Sequence, residues 1–227
     1  MKYLILFFIS IASYATSIRI SVAEDVASVS PKYLEILNKV YKEVGLDVNF
    51  VILPLERTIK EFDEKKFQAM AVKLSGITQI SKRAILINPP VIKGYQYGIF
   101  ALKNSSQSLI KKINIPDHRY ILTRGTVYGK LFKKKYPNAH ITYAKDYQNA
   151  IEQLKRNRAD YLVSTEVYLE RKEVSKILVM MDDHKEKMDI HHVISPELMY
   201  LKPKLEKIFQ RLVDDETLSL KNLFKKD

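Results

Sequence analysis

No cysteine occurs in the 227 residues. That absence excludes a disulfide framework, a thiolate metal site and a lipidated N-terminal cysteine. No apolar run reaches the roughly 20 residues that a membrane-spanning helix needs. A serine nucleophile elbow and a glycine-rich phosphate loop are also missing, so neither of those chemistries has a foothold in the sequence. Basic residues are plentiful but form no single stripe, which argues against a nucleic-acid partner.

The charge that is present is lopsided. Lys and Arg number 38 against 26 Asp and Glu, a formal charge of +12. It is spread over Lys111-Lys112, Lys133 to Lys135, Lys155 to Arg158, Lys202 to Lys207 and Lys225-Lys226. Such spread reads as a solvated lysine-rich surface, and it also favours capture of acidic ligands or an anionic membrane surface. At the N-terminus, Lys2, the apolar run Tyr3 to Ala12 and the small residues Ala15-Thr16-Ser17 have the three regions of a cleavable signal peptide over 1–17. An uncleaved anchor or a buried helix is the alternative. A soluble, exported, non-lipidated protein in the periplasm is expected, with about 210 residues to build its core.

One phrase occurs twice. Residues 61–72, from Glu61-Phe62 to Ala71-Val72, read as a charged helix end turning into a buried strand, and residues 153–164, from Gln153-Leu154 to Val163-Ser164, repeat it. Two similar lobes are the simplest reading. Each phrase leads to a polar cluster, Lys73 to Ser75 in one and Ser164 to Glu166 in the other, where open α/β sheets place ligands.

Strand and helix patterns alternate along the rest of the chain. Ser30-Pro31 opens a helix with a cap and Gly45 closes it; Val48 to Leu53 is a buried strand; Leu55, Ile59 and Phe62 mark the inner face of the next helix. Gly94 to Leu102 is a long strand suited to crossing between lobes, and the second lobe starts after Asn104-Ser105-Ser106. Tyr120 to Thr123, His140 to Tyr143, Tyr161 to Ser164 and Ile177 to Met181 supply strands, with helices after the Gly125 to Gly129 turn and around Tyr147, Ala150, Ile151 and Leu154. Ile190 to Ile194 reads as a second crossing strand, and a helix bearing Leu205, Ile208, Phe209 and Leu212 packs back on the first lobe. Two crossing strands permit hinge closure.

Ile18 to Val22, Pro54-Leu55-Glu56-Arg57, the Val72 to Ile77 turn, Arg124 to Gly129, Ala159-Asp160-Tyr161 and the final amphipathic helices resemble the bacterial extracellular solute-binding proteins of the amino-acid-binding type, family 3. The resemblance covers nearly all of the chain after the leader. It implies an α/β protein with the type II periplasmic binding protein fold, two α/β lobes joined by two crossing strands. Lobe 1 would comprise 18–101 and 191–227, and lobe 2 102–190.

The resemblance also implies a site. Lys73, Ser75 and Arg83 stand where relatives hold a ligand carboxylate, and an arginine fork matches that group; a surface role capping the next strand is the alternative for Arg83. In lobe 2 the family's Gly-Thr pair at a helix N-terminus meets Gly129-Lys130 instead, leaving Thr126, Tyr128 or the Lys130 amine as substitutes; a turn glycine at positive φ is the alternative for Gly129. The family's amine-binding aspartate is replaced by Thr165, followed by Glu166, so an α-ammonium group would have to find Glu24 or Asp25. Arg57 reaches the cleft mouth or pairs with Glu61 one turn on. Tyr95, Tyr97 and Tyr128 form a ligand-facing aromatic wall or belong to the core.

Catalysis finds little support. His191-His192 lie next to each other on a strand and point to opposite faces, and Asp182-Asp183-His184 resembles a ligand set only by composition. No catalytic residue, metal or cofactor is expected; a dehydratase, known among relatives of this fold, would need Glu166 or Glu24 as its acid/base. The expected function is capture of a small polar, carboxylate-bearing, amino-acid-like ligand by a monomeric binding protein, serving amino acid transport through an ABC transporter permease. Signalling to a membrane receptor uses the same architecture and is the alternative.

Overall fold

The computed structural model describes residues 17–105, 115–166 and 172–223. The leader up to residue 16, Ser106 at the expected lobe boundary, Lys111-Lys112 and Lys225-Lys226 lie outside the described residues. Ten strands form one sheet: β1 Ile18–Ala23, β2 Val48–Leu53, β3 Ala69–Leu74, β4 Ile85–Leu86, β5 Ile92–Leu102, β6 Arg119–Thr123, β7 His140–Ala144, β8 Tyr161–Thr165, β9 Leu178–Met180 and β10 Glu186–Ile194. Their order is β2-β1-β3-β10-β5-β8-β6-β7, with β4 on β10 and β9 on β5. Two parallel triplets, β2-β1-β3 and β7-β6-β8, therefore flank an antiparallel β5/β10 pair. Each triplet begins in its middle strand, so each has a switch point at the carboxyl ends of its strands.

The helices are α1 Glu24–Val29, α2 Pro31–Glu43, α3 Leu55–Asp63, α4 Val127–Lys135, α5 Tyr147–Lys155, α6 Lys172–Ser175, α7 Lys202–Asp214 and α8 Leu220–Leu223. The α2 face that carries Tyr33, Leu37, Val40 and Tyr41 is buried, as is the α5 face that carries Ala150, Ile151 and Leu154, the stripe that helical spacing predicts. The C-terminal helix α7 packs against α2 and β10: Arg211 pairs with Glu43 at 2.6 Å, and Phe209 stacks on His192.

The repeated phrase ends two helices identically. Lys65 N–H donates to the Phe62 carbonyl and Lys66 N–H to Glu61; Asn157 N–H donates to Leu154 and Arg158 N–H to Gln153. Both junctions are Schellman turns, with Lys65 and Asn157 at φ 63° and 54°. Three residues past each left-handed position, the phrase ties the strand to its neighbour, Gln68 to Arg19 and Asp160 to Arg119.

Several expectations need correction. β2 is an edge strand, half-buried along most of its length, with Ile52 57% exposed. Ser30 does not cap α2, because its hydroxyl donates to the Leu223 carbonyl instead. β3 extends through Leu74, which puts Lys73 inside the strand and not beyond it. Gly129 lies within α4, and the positive φ belongs to Gly125 (77°).

Candidate functional site

A cavity of about 180 Å³ lies where the two triplets face each other. β3 contributes Val72 to Leu74, β6 contributes Thr123, α4 contributes Thr126 to Tyr128, β8 contributes Thr165, and Ile92 and Tyr95 of β5 form part of its wall. The lobes touch around it. A Cβ placed on Gly125 would stand 2.4 Å from the Glu56 backbone at the start of α3, and one on Gly76 would stand 2.6 Å from Leu131 of α4. At Gly125 and Glu56, backbone thus meets backbone across the cleft.

Lys73 is the central charge. Its side chain is buried, and its Nζ donates to Thr58 Oγ1 at 2.8 Å; Thr58 in turn donates to the Leu55 carbonyl at 2.7 Å. A neutral hydroxyl therefore takes one of three ammonium donors. Desolvation pulls the Lys73 pKa down to about 8, the Asp25 carboxylate opposes that fall, and the Lys130 ammonium adds to it. Thr126 caps α4: it accepts from Gly129 N–H at 3.2 Å and donates to the Thr123 carbonyl at 2.9 Å. Gly129 is needed there because a Cβ would come within 2.5 Å of the capping oxygen. The N-terminus of α4 consequently faces the cavity with its positive dipole end.

Beside that cap, the Thr123 hydroxyl is buried and makes no well-formed hydrogen bond, and the Ser164 hydroxyl is in the same condition. Both lie near the Tyr128 phenol, whose pKa is pushed up to about 12 by desolvation while Ser164, Thr126 and Thr123 temper the rise. Tyr128 stacks on Tyr97 with ring centres 6.2 Å apart. Tyr95 reaches Thr165 Oγ1 at 3.5 Å, the outer limit of hydrogen bonding.

Of the residues singled out in the sequence, Lys73, Thr126, Tyr128 and Thr165 come together on this cavity, with Tyr95 and Asp25. Three stand elsewhere. Arg83 forks onto Glu197 at 3.0 and 2.9 Å and lies over the Phe62 ring; Arg83 also holds the Glu197 carboxyl down at about 2. Arg57 turns to Glu61 on its own helix. Ser75 opens a 3-10 turn, and its carbonyl accepts from Thr78. Tyr97 backs Tyr128 without lining the cavity, and Glu166 accepts from Gln96 N–H at 2.9 Å. His191 and His192 bond different carbonyls, Ile87 and Ala71, and His192 also meets the Tyr41 hydroxyl. Thr123 and Thr58 were not singled out. The rule that ligands sit at strand carboxyl ends, applied to β6, would have found Thr123; Thr58 shows only once α3 is laid against β3.

No protein-family model matches the chain, and no curated protein matches it by sequence. Solved structures do match. A putative L-cystine ABC transporter protein from Listeria monocytogenes superposes with TM-score 0.71 at 16% identity, over 92% of this chain and 95% of that one. The fold is that of the type II periplasmic binding proteins. The periplasmic VFT2 domain of BvgS from Bordetella pertussis matches with TM-score 0.68 at 14% identity, covering 92% and 93%. The ancestral amino acid-binding protein AncCDT-1, a precursor of cyclohexadienyl dehydratase, matches with TM-score 0.69 at 18% identity, covering 92% and 96%. Within this fold the chain has two α/β lobes joined by β5 and β10. Among the described residues, no helix is long and apolar enough to cross a membrane.

Proposed function

We propose that this protein is a periplasmic solute-binding protein that closes its lobes over a small carboxylate-bearing ligand and presents it to an ABC-type importer. In this reading 18–101 and 191–227 form one lobe, 102–190 the other, and 1–17 direct export. One observation carries it: a buried ammonium, Lys73, faces the capped N-terminus of α4 across a cavity between the lobes, with a neutral hydroxyl as its hydrogen-bond partner among the described residues. Burying such a charge is costly unless an opposite charge joins it. Lys73 and the α4 terminus would hold the anion, Thr126 and Tyr128 would shape the lobe 2 side, and Thr165 would close over the ligand. Arg57, Ser75 and Arg83, the other positions implied by the family resemblance, would act on structure and not on the ligand.

The test is thermal unfolding of refolded protein against amino acids, organic acids, polyamines and sugars. A ligand at 100 times its dissociation constant adds about 2.7 kcal/mol and raises the midpoint. Carboxylates are expected to shift it; a panel with no shift would overturn the binding reading. The likeness to the BvgS periplasmic domain supports a second reading, in which the closed form contacts a membrane receptor. Co-purification of the ligand-loaded protein with a permease complex or with a receptor separates the two. Turnover of a confirmed ligand, followed by mass spectrometry, would convert the reading to that of an enzyme.

A further inference from the structure

Polar and apolar groups are not spread evenly around the cavity. Nine valine, leucine and isoleucine residues line it, and eight of them lie outside the β7-β6-β8 triplet and its helices, Val127 being the exception. That triplet supplies hydroxyls instead, those of Thr123, Thr126, Tyr128 and Thr165, while Lys73 and Asp25 bring one lining charge of each sign. A carboxylate head, with or without an amine, suits that polar part. The hydrocarbon bears on the rest of the ligand, because few and placed polar groups orient a molecule whose body meets apolar walls.

The apolar lining reaches Val26 of α1, Tyr33 of α2 and Leu223 of α8, and both Tyr33 and Leu223 are buried. Hydroxyl hydrogens in this part are spent on the protein itself. Tyr33 donates to the Ala71 carbonyl at 3.1 Å, and Ser30, which also lines the cavity, donates to the Leu223 carbonyl at 3.0 Å. What remains for a ligand is aliphatic surface and a ring. Water gains little in such a space, whereas an apolar group gains by leaving solvent for it. Leu223 comes to this wall from 193 residues beyond Ser30, so its side chain can be altered without altering Lys73 or the α4 terminus. We propose that the ligand is amphipathic and runs an aliphatic chain against Val26, Tyr33 and Leu223, with Leu223 setting the chain length that the cavity accepts. This rests on the binding-protein reading above, which supplies the carboxylate head near Lys73.

The test titrates refolded full-length protein by calorimetry with two straight-chain series, the carboxylates from butanoate to octanoate and the 2-amino acids from 2-aminobutanoate to 2-aminooctanoate. In at least one series affinity should rise about fourfold per added methylene, reach a maximum, and fall once the chain meets Leu223. Leu223→Ala should move that maximum to a longer chain and Leu223→Phe to a shorter one, shifts that a loss of stability alone does not produce. Tyr33→Phe keeps the ring and removes its hydroxyl, so the maximum should stay where it is. A maximum that both Leu223 variants leave in place would overturn the proposal. The series on the unaltered protein tests it without any variant: short or polar acids that bind with no gain from added methylenes would overturn it while leaving the binding-protein reading intact, and no binder of any class would remove both.

Discussion

At the residue scale, Lys73 is where, on the proposed function, stability and binding pull in opposite directions. Its pKa near 8 lies below the ordinary lysine value of 10.5 because burial disfavours the ammonium. The unfolded chain therefore binds more protons than the folded one between about pH 8 and 10.5, and ligand-free stability from this group should rise across that window. Affinity for a carboxylate should move the other way, level below about pH 7 and falling above pH 8 by up to tenfold per pH unit, since only the ammonium attracts the anion. Calorimetry and urea unfolding at pH 6.5, 8 and 9.5 read both trends; affinity that holds constant through pH 9.5 would detach Lys73 from the ligand. Arg83 shows what sequence cannot supply at this scale. Its type suited a carboxylate, but the carboxylate it meets is Glu197, 114 residues away, and nothing in a local motif reveals a partner brought in by the returning chain.

At the scale of elements, the two repeated junctions provide a matched pair. Lys65 and Asn157 occupy the same left-handed position of the same turn. A branched-from-Cβ strain of about 1–2 kcal/mol attends most residues there, less for asparagine, and none for glycine. Lys65→Gly should stabilise the fold by about 0.5–1 kcal/mol net of lost chain restriction, and Asn157→Gly by less. Urea denaturation of the two variants checks the order, and a destabilised Lys65→Gly would refute it. These junctions also show why so much of the fold was legible: helix end, turn and strand start are local, and local chemistry fixes them. What failed was global. The apolar run of β2 reads as interior, but only the strand order makes it an edge. Ser30 has the chemistry of a cap, but the Leu223 carbonyl, brought by the C-terminal helix, takes its hydroxyl. At the cavity, Thr126, Tyr128 and Thr165 were legible because they follow strand ends or a helix start, whereas Thr58 depends on how α3 sits against β3.

At the scale of the whole molecule, the proposed closure would depend on how near the lobes can approach, and Gly125 would set that limit. It adopts φ 77° and stands against the Glu56 backbone, with no room for a Cβ. Gly45, at φ 80°, has nothing within 4 Å of its absent Cβ. Replacing either by alanine imposes a similar left-handed strain of about 1–2 kcal/mol, but only Gly125→Ala also inserts an atom between the lobes. The clash exists in the arrangement described and would vanish if, as proposed, β5 and β10 act as hinges and let the lobes part, so it should shift the population toward an open form. A ligand that must then pay for closure binds more weakly in proportion to the closed fraction lost. Gly125→Ala should therefore lower affinity at least tenfold, mainly through faster release, and leave a larger radius of gyration in small-angle scattering with ligand present. Gly45→Ala should lower the unfolding midpoint with little change in affinity or size. If Gly125→Ala merely loses stability as Gly45→Ala does, with affinity and radius unchanged, the Gly125–Glu56 approach does not govern closure, and capture must depend on contacts nearer the hinge.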